Sequence, residues 1–253
     1  MPETGGGALM DTNRKRADIL LVERGLFESR ARAQAAIDAG LVTADNKIVA
    51  KASESVLISA AIDAQPAHPW VSRGGVKLSA ALDAYSIEID DHICLDVGAS
   101  TGGFTEVLLA NGASLVFAID VGRDQLHPSL DGHPRIVSME TTDIRSLSGT
   151  RLPQRPDVVV IDCSFISLKA VLPAALELAA SPTSLLALIK PQFEATQKVA
   201  KKGVVRDATV HRAVCDDIAA YVESLGCTDI EVFPSPITGG DGNAEFFIGA
   251  RRG

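Results

Sequence analysis

The chain lacks the marks of several common protein classes. Its four cysteines (Cys94, Cys163, Cys215, Cys227) form no C-x-x-C pair, which argues against a disulfide framework or a zinc site and fits a reducing cytosol. The five histidines fall in no metal-ligand spacing, so no metal is expected. A membrane span needs about 20 nearly uninterrupted apolar residues. The most apolar stretch, 170–189, is broken by Pro173, Glu177 and Pro182. Residues 1–13 carry Gly5, Gly6 and Gly7 but no apolar core, so they do not read as a signal peptide and are expected to be disordered. Basic charge is not in excess either: 24 Lys and Arg stand against 32 Asp and Glu, a net −8, a poor overall signature for a nucleic-acid partner.

The charge is unevenly placed, however. Residues 14–51 hold eight basic and five acidic side chains, a net +3, which leaves −11 on the remainder. Such asymmetry suggests a small basic module joined to an acidic enzyme. In the module, residues 16–24 have helical spacing (Ala17, Leu20, Leu21) and end at Gly25. Ser29 is placed to cap a second helix that buries Ala33, Ala36 and Ile37 and stops at Gly40. Val42, Ile48 and 56–58 read as short strands around an Asp45-Asn46 turn. Arg30, Arg32 and Gln34 fall on the early turns of the second helix. Gln65-Pro66-Ala67-His68-Pro69 reads as linker. Trp70, the single tryptophan, either anchors that linker by burying its ring or stacks on a base.

The stretch around which the rest is organised is Ile93-Cys94-Leu95-Asp96-Val97-Gly98-Ala99-Ser100-Thr101-Gly102-Gly103-Phe104-Thr105. It reads as an apolar strand ending in an acid, a glycine-rich turn, and a helix over 105–110. The dinucleotide pattern G-x-G-x-x-G is absent, and Phe104 stands where a phosphate-binding loop needs lysine. The remaining pattern, D-x-G-x-x-x-G-G, resembles the first motif of S-adenosylmethionine (SAM) methyltransferases. On that resemblance Asp96, Gly98, Ser100, Thr101, Gly102, Gly103 and Phe104 are cofactor-binding candidates. A second strand, 115–119, ends in Asp120, 22 residues after Gly98, the usual distance for an acid that binds ribose hydroxyls.

Further strands end in chemistry-bearing residues. A short strand, 135–138, leads to Thr141-Thr142-Asp143, and Asp143 stands where many such enzymes contact the adenine. The strand 157–161 ends in Asp162, followed by Cys163-Ser164-Phe165-Ile166-Ser167-Leu168. The strand 185–189 ends in Lys190-Pro191-Gln192-Phe193-Glu194, a helix follows over 211–224, and Gly242-Asn243-Ala244-Glu245 turns into a last strand, 246–250. Acids and a lysine at the carboxyl ends of successive strands would line the crevice where open α/β sheets bind ligands.

Two resemblances follow. Ser29-Arg30-x-x-Ala33-x-x-x-Ile37-x-x-Gly40-x-Val42, after Leu21-Val22-Glu23-Arg24-Gly25, resembles the RNA-binding module named after small-subunit ribosomal protein four; the family usually has Val-Asn-Gly where this chain has Ala44-Asp45-Asn46. Residues 14–250 resemble the TlyA family, once called hemolysins, whose catalytic half is like the FtsJ-type ribose 2′-O-methyltransferases. The motifs that carry this are Ser72-Arg73-Gly74-Gly75-x-Lys77-Leu78, the glycine loop, Asp162-x-Ser164-Phe165-Ile166-Ser167-Leu168, Lys190-Pro191-Gln192-Phe193-Glu194 and Gly242-Asn243-x-Glu245-Phe246; Val76 stands where the family often has His.

The resemblance implies a catalytic tetrad of Lys77, Asp162, Lys190 and Glu245, with Asp162 also facing the cofactor. It implies RNA contacts from Arg14, Lys15, Arg16, Ser29, Arg30, Arg32, Gln34, Lys47 and Arg73. The expected architecture is a Rossmann-like α/β methyltransferase domain (72–253) after an α+β RNA-binding domain (14–62) and a linker (63–71). The expected activity is SAM-dependent ribose 2′-O-methylation of rRNA, on cytidine in small- or large-subunit rRNA, in the cytoplasm, with ribosomal subunits as partners, no membrane, and no obligate protein partner evident. An ordinary lysine is charged at pH 7, but burial beside a second cation can neutralise one. Lys190 is therefore expected to orient and deprotonate the 2′-hydroxyl, Asp162 to hold Lys190, and Lys77 and Glu245 to position the ribose. Two other classes compete: a membrane-active hemolysin, against which the absent span and absent cationic amphipathic helix argue, and a non-catalytic ribosome-assembly factor, against which the intact tetrad argues.

Overall fold

The computed structural model describes residues 13–147, 152–195, 203–239 and 242–253; the tail 1–12 and Gly240 and Asp241 lie outside them. The chain divides into two compact units, Met1–Pro69 and Trp70–Gly253.

In the first unit β1 (Arg14–Arg16) runs into α1 (Ala17–Glu23), followed by α2 (Arg30–Asp38), β2 (Val42–Ala44), β3 (Lys47–Ile48), β4 (Ser55–Leu57) and β5 (Ile62–Ala64). Gly25 and Gly40 stop the two helices with φ of +69° and +72°, and Ser29 accepts a hydrogen bond from Arg32 N at the start of α2. Leu20, Leu21, Ala33, Ala36, Ile37 and Val42 form the core between the helices and strands. The β2–β3 hairpin turns on Asp45 and Asn46, both with positive φ (50° and 63°), as a two-residue primed turn requires. The Asp45-Asn46 departure therefore keeps the turn. Asp45 Oδ1 also accepts from Ala61 N at 2.9 Å.

The linker expected over 63–71 is shorter than the sequence suggests. β5 pairs antiparallel with β2 and carries Ile62 and Ala64 against the module core, an I-D-A alternation too brief to read as a strand. At the other end, Trp70 is partly buried against the core of the second unit, where the Gly75 backbone lies so close that a Cβ there would meet the Trp70 side chain at 2.4 Å.

The second unit contains α3 (Arg73–Ala84), β6 (Ile93–Val97), α4 (Gly103–Ala110), β7 (Leu115–Ile119), β8 (Ile136–Met139), β9 (Val158–Ile161), α5 (Leu168–Leu178), β10 (Thr183–Ile189), α6 (Pro191–Glu194), α7 (Ala208–Ser224), β11 (Cys227–Pro234) and β12 (Phe246–Arg252). Among the described residues they form a seven-stranded sheet of order β11-β12-β10-β9-β6-β7-β8. The five strands from β10 to β8 are parallel, and β12 and β11 add antiparallel.

The parallel strands are buried on both faces, hence their near-continuous Val, Ile and Leu. Cys94, Val116, Val158 and Val160 face α3 and α4. Leu95, Val97, Val159 and Ile161 face the layer that holds α5 and α7. Helix α5 tolerates Pro173 in its interior because Tyr221 of α7 donates its hydroxyl to the Lys169 carbonyl that the proline leaves without its helical N–H. β11 escaped the sequence reading: it is an edge strand, mostly exposed, bulged between Thr228 and Glu231 and carrying charges at Asp229 and Glu231.

Candidate active site

The strand order reverses direction at β6, which has β7 on one side and β9 on the other; this switch point is where an open α/β sheet leaves a crevice. A cavity of about 530 Å³ lies there. Its walls include Gly98, Ser100, Asp120, Asp143, Asp162 and Ser164, with apolar surface from Val121, Ile144 and Ile166. Gly98 (φ +86°) brings its backbone against β9: a Cβ would lie 2.6 Å from the Asp162 carbonyl.

The rest of the glycine motif packs the loop and the start of α4. Thr101, Gly102, Gly103 and Phe104 are not among the residues lining the cavity. Gly102 (φ +89°) lets Leu126 and Leu130 close over the start of α4, which begins at Gly103 rather than Thr105. Gly103 lets α4 approach α3, where a Cβ would strike Ser72 and the Gly75 nitrogen. Asp96 lies beneath the loop, fully buried. Thr105 donates to its Oδ2 at 2.6 Å, and its Oδ1 has no hydrogen-bond partner. Burial pushes this carboxyl up to about 7.

The cavity carboxylates are anchored differently. Asp120 accepts from Ser100 N and Gly122 N (2.8 and 2.6 Å), tying the glycine loop to the end of β7. Asp143 is clamped by the Arg145 guanidinium, which holds its carboxyl below the usual range. Glu140 gathers the backbone N–H groups of Asp124, Gln125 and Leu126 and so fixes the loop that carries Val121 and Gln125 to the cavity wall.

Beside the cavity stand two ion pairs, one buried on both sides (Lys77–Glu245) and one (Lys190–Asp162) whose carboxylate is partly exposed on the cavity wall. Lys190 Nζ lies 2.5 Å from Asp162 Oδ1, and Lys77 Nζ lies 2.6 Å from Glu245 Oε2. The sheet register brings them to one edge: Ile189 pairs with Phe246, so Lys190 leaves β10 where Glu245 enters β12. Lys77 is the fifth residue of α3, beyond the first turn, so Glu245 rather than the helix end sets its surroundings. In each pair the lysine faces a carboxylate. Lys190 also donates to Ser164 Oγ at 2.9 Å. Next to Ser164, Phe165 has a φ of +65° and is 90% exposed, its ring 5.0 Å from that of Phe193.

The expected RNA contacts separate into groups. Arg16, Arg30 and Gln34 converge on one buried carboxylate, Asp18. Arg14 donates to the Ser55 carbonyl (2.6 Å) and Lys15 pairs with Glu23. Arg32 is half-buried on the first turn of α2, after the Ser29 cap, and Lys47 is exposed on β3. Arg73 belongs to the second unit, where it donates to the Thr238 carbonyl.

A model described as FtsJ-like methyltransferase matches residues 70–252, and the S4 domain model matches residues 15–62. The chain is 42% identical to the 16S/23S rRNA (cytidine-2′-O)-methyltransferase TlyA of Mycobacterium tuberculosis, over 94% of this chain and 90% of that protein. The chain belongs to the TlyA family. Hemolysin A of Brachyspira hyodysenteriae is 34% identical over 91% of this chain and 97% of its own length. A solved structure of a hemolysin-designated protein from Streptococcus thermophilus superposes with a TM-score of 0.75 at 36% identity, covering 95% of this chain and 89% of that one. The chain thus joins an S4 domain to an FtsJ-like methyltransferase domain. Among the described residues no helix is long and apolar enough to cross a membrane.

Three residues that matter to the geometry were given no role from the sequence. Ser164 and Glu194 lie inside motifs that carry the TlyA resemblance, but only the fold shows Ser164 against Lys190. Glu194 binds Ser167 Oγ and Leu168 N (2.5 and 2.7 Å), tying the loop after Asp162 to the turn after Lys190. Asp18 read as one more acid on a helix.

Proposed function

We propose that this chain is a SAM-dependent ribose 2′-O-methyltransferase that modifies cytidine in ribosomal RNA, acting in the cytoplasm on ribosomal subunits. The observation that carries the reading is the pair of lysine–carboxylate bridges whose Lys190 and Glu245 sit at the adjoining ends of β10 and β12, beside a cavity walled by acids and apolar side chains. That lining suits SAM, which has a zwitterionic amino-acid end, a cationic sulfonium, a ribose diol and a purine but no phosphate. Asp120, Asp143 and Asp162 would hold it, with Gly98 and Ser100 giving backbone close to it. SAM when bound supplies an electrophilic methyl group on a positively charged sulfur.

The chain's own residues then act on the nucleophile. Lys190, fixed by Asp162 and Ser164, is positioned to orient the ribose hydroxyl; it takes the hydroxyl proton only as the free amine, after passing its own ammonium proton to the Asp162 carboxylate beside it. The bridge between Lys77 and Glu245 supports the ribose from the neighbouring strand. Positioning and electrostatics account for most of the rate in such a design. Phe165 offers an exposed ring beside Ser164 on which a nucleobase could stack, as single-stranded RNA recognition uses.

The test is Lys190→Ala and Lys190→Arg. Both are expected to lose methyl transfer by at least about 100-fold while SAM affinity, measured by calorimetry, stays within about threefold of wild type. Full methyl transfer by Lys190→Ala would end the assignment of Lys190.

A further inference from the structure

Asp18 is the second residue of α1, and its side chain is completely buried. Six donors close around it. Oδ1 accepts from Ile19 N and Arg16 Nε, both at 3.0 Å. Oδ2 accepts from Arg16 Nη2 (3.1 Å), Arg30 Nη2 and Nε (2.7 and 3.2 Å) and Gln34 Nε2 (2.8 Å). Arg16 comes from β1, while Arg30 and Gln34 are four apart on α2 and share a face.

The two arginines keep about half of their surface, 45% and 55%, in solvent. Each turns the same edge, Nε and Nη2, toward Asp18, so Nη1 points the other way. A guanidinium carries five donors in a rigid fork, and binding through one edge fixes the direction of the rest.

We infer that Asp18 is a positioning residue for RNA recognition: it locks Arg16 and Arg30 into a rigid two-armed clamp for phosphate groups of structured RNA. The assignment rests on the rRNA reading above. Charge alone argues the reverse role, since an acid among basic side chains repels a polyanion. What the acid contributes is geometry: two long side chains are ordered before binding, so binding does not have to order them. Gln34 fills the remaining acceptor site, leaving the carboxylate saturated.

The two accounts predict opposite signs. Full-length wild type, Asp18→Asn, Arg16→Ala/Arg30→Ala and the triple variant are titrated against purified ribosomal subunits and against poly-uridine at several salt concentrations. If Asp18 positions the arginines, Asp18→Asn weakens subunit binding about tenfold although it removes a negative charge. The loss falls on KM for subunits, not on SAM affinity. Poly-uridine binding does not weaken, and Asp18→Asn adds no further loss in the Arg16→Ala/Arg30→Ala background. Subunit binding equal to or tighter than wild type, or a loss that persists undiminished in that background, overturns the assignment. Should NMR of the full chain show that Asp18→Asn unfolds the module, Arg16→Lys/Arg30→Lys carries the test. It keeps the charge and loses the fork, so undiminished subunit binding would overturn the clamp and weakened binding would support it. Failure of wild type itself to bind subunits would overturn the rRNA reading and this assignment with it.

Discussion

At the scale of single residues, buried carboxylates decide most of the behaviour. Asp96 titrates near 3.8 when unfolded and at about 7 when buried. Between those values the folded protein holds a proton that the unfolded chain releases. Its contribution to stability is therefore complete below about pH 4 and is lost as pH rises through 7, at about 1.4 kcal/mol per pH unit. Melting temperatures of the ligand-free protein are expected to fall between pH 5 and 8, and Asp96→Asn is expected to flatten that slope; an equally steep variant would refute the burial argument. Asp18 has the opposite sign: the Arg16 bridge holds its carboxyl well below the usual range, so its contribution is present above about pH 4 and lost in acid. Cys163, on the cavity wall, has its thiol pushed up to about 12 by burial. It is expected to resist alkylation at pH 8 while the protein is folded and to react once urea unfolds it.

At the scale of elements, strands and caps were legible and close approaches were not. The buried strands announce themselves through runs such as Val158-Val159-Val160-Ile161, and Ser29, Gly25 and Gly40 mark the module's helix ends because caps and left-handed stops need those residue types. β5 and β11 were hidden, one by brevity and the other by edge charges. The glycine loop was legible as a loop, but its division of labour was not. Only the fold shows that Gly98 faces the Asp162 carbonyl while Gly102 and Gly103 face Leu130 and Ser72. Both kinds of contact forbid a side chain. Gly98→Ala is expected to cost about 2 kcal/mol or more from its φ and its clash with β9, and to weaken SAM binding at the same time. Gly103→Ala is expected to cost a similar amount in urea unfolding with less effect on SAM affinity. Asp120 and Asp162 were likewise readable, because each directly follows a buried strand. The pairing of Lys190 with Asp162 and of Lys77 with Glu245 depends on sheet register across residues 77 to 245, which spacing along the chain does not encode.

At the scale of the whole molecule, the chain divides between Pro69 and Trp70 into two units with separate cores. Ligand that binds one folded unit raises the stability of that unit by mass action. SAM is therefore expected to raise the unfolding temperature of the Trp70–Gly253 unit and to leave hydrogen exchange at Leu20, Leu21 and Ile37 unchanged; equal protection in both units would contradict independent cores. On the proposed function, the methyl group passes from SAM directly to an rRNA ribose oxygen that Lys190 orients. The most direct measurement is tritiated methyl transfer from SAM to isolated ribosomal subunits and naked rRNA, with the modified position mapped, for wild type and Lys190→Ala. Label on a cytidine 2′-oxygen with wild type and none with Lys190→Ala is the predicted result. Label on a base, or label that survives Lys190→Ala, would contradict the account.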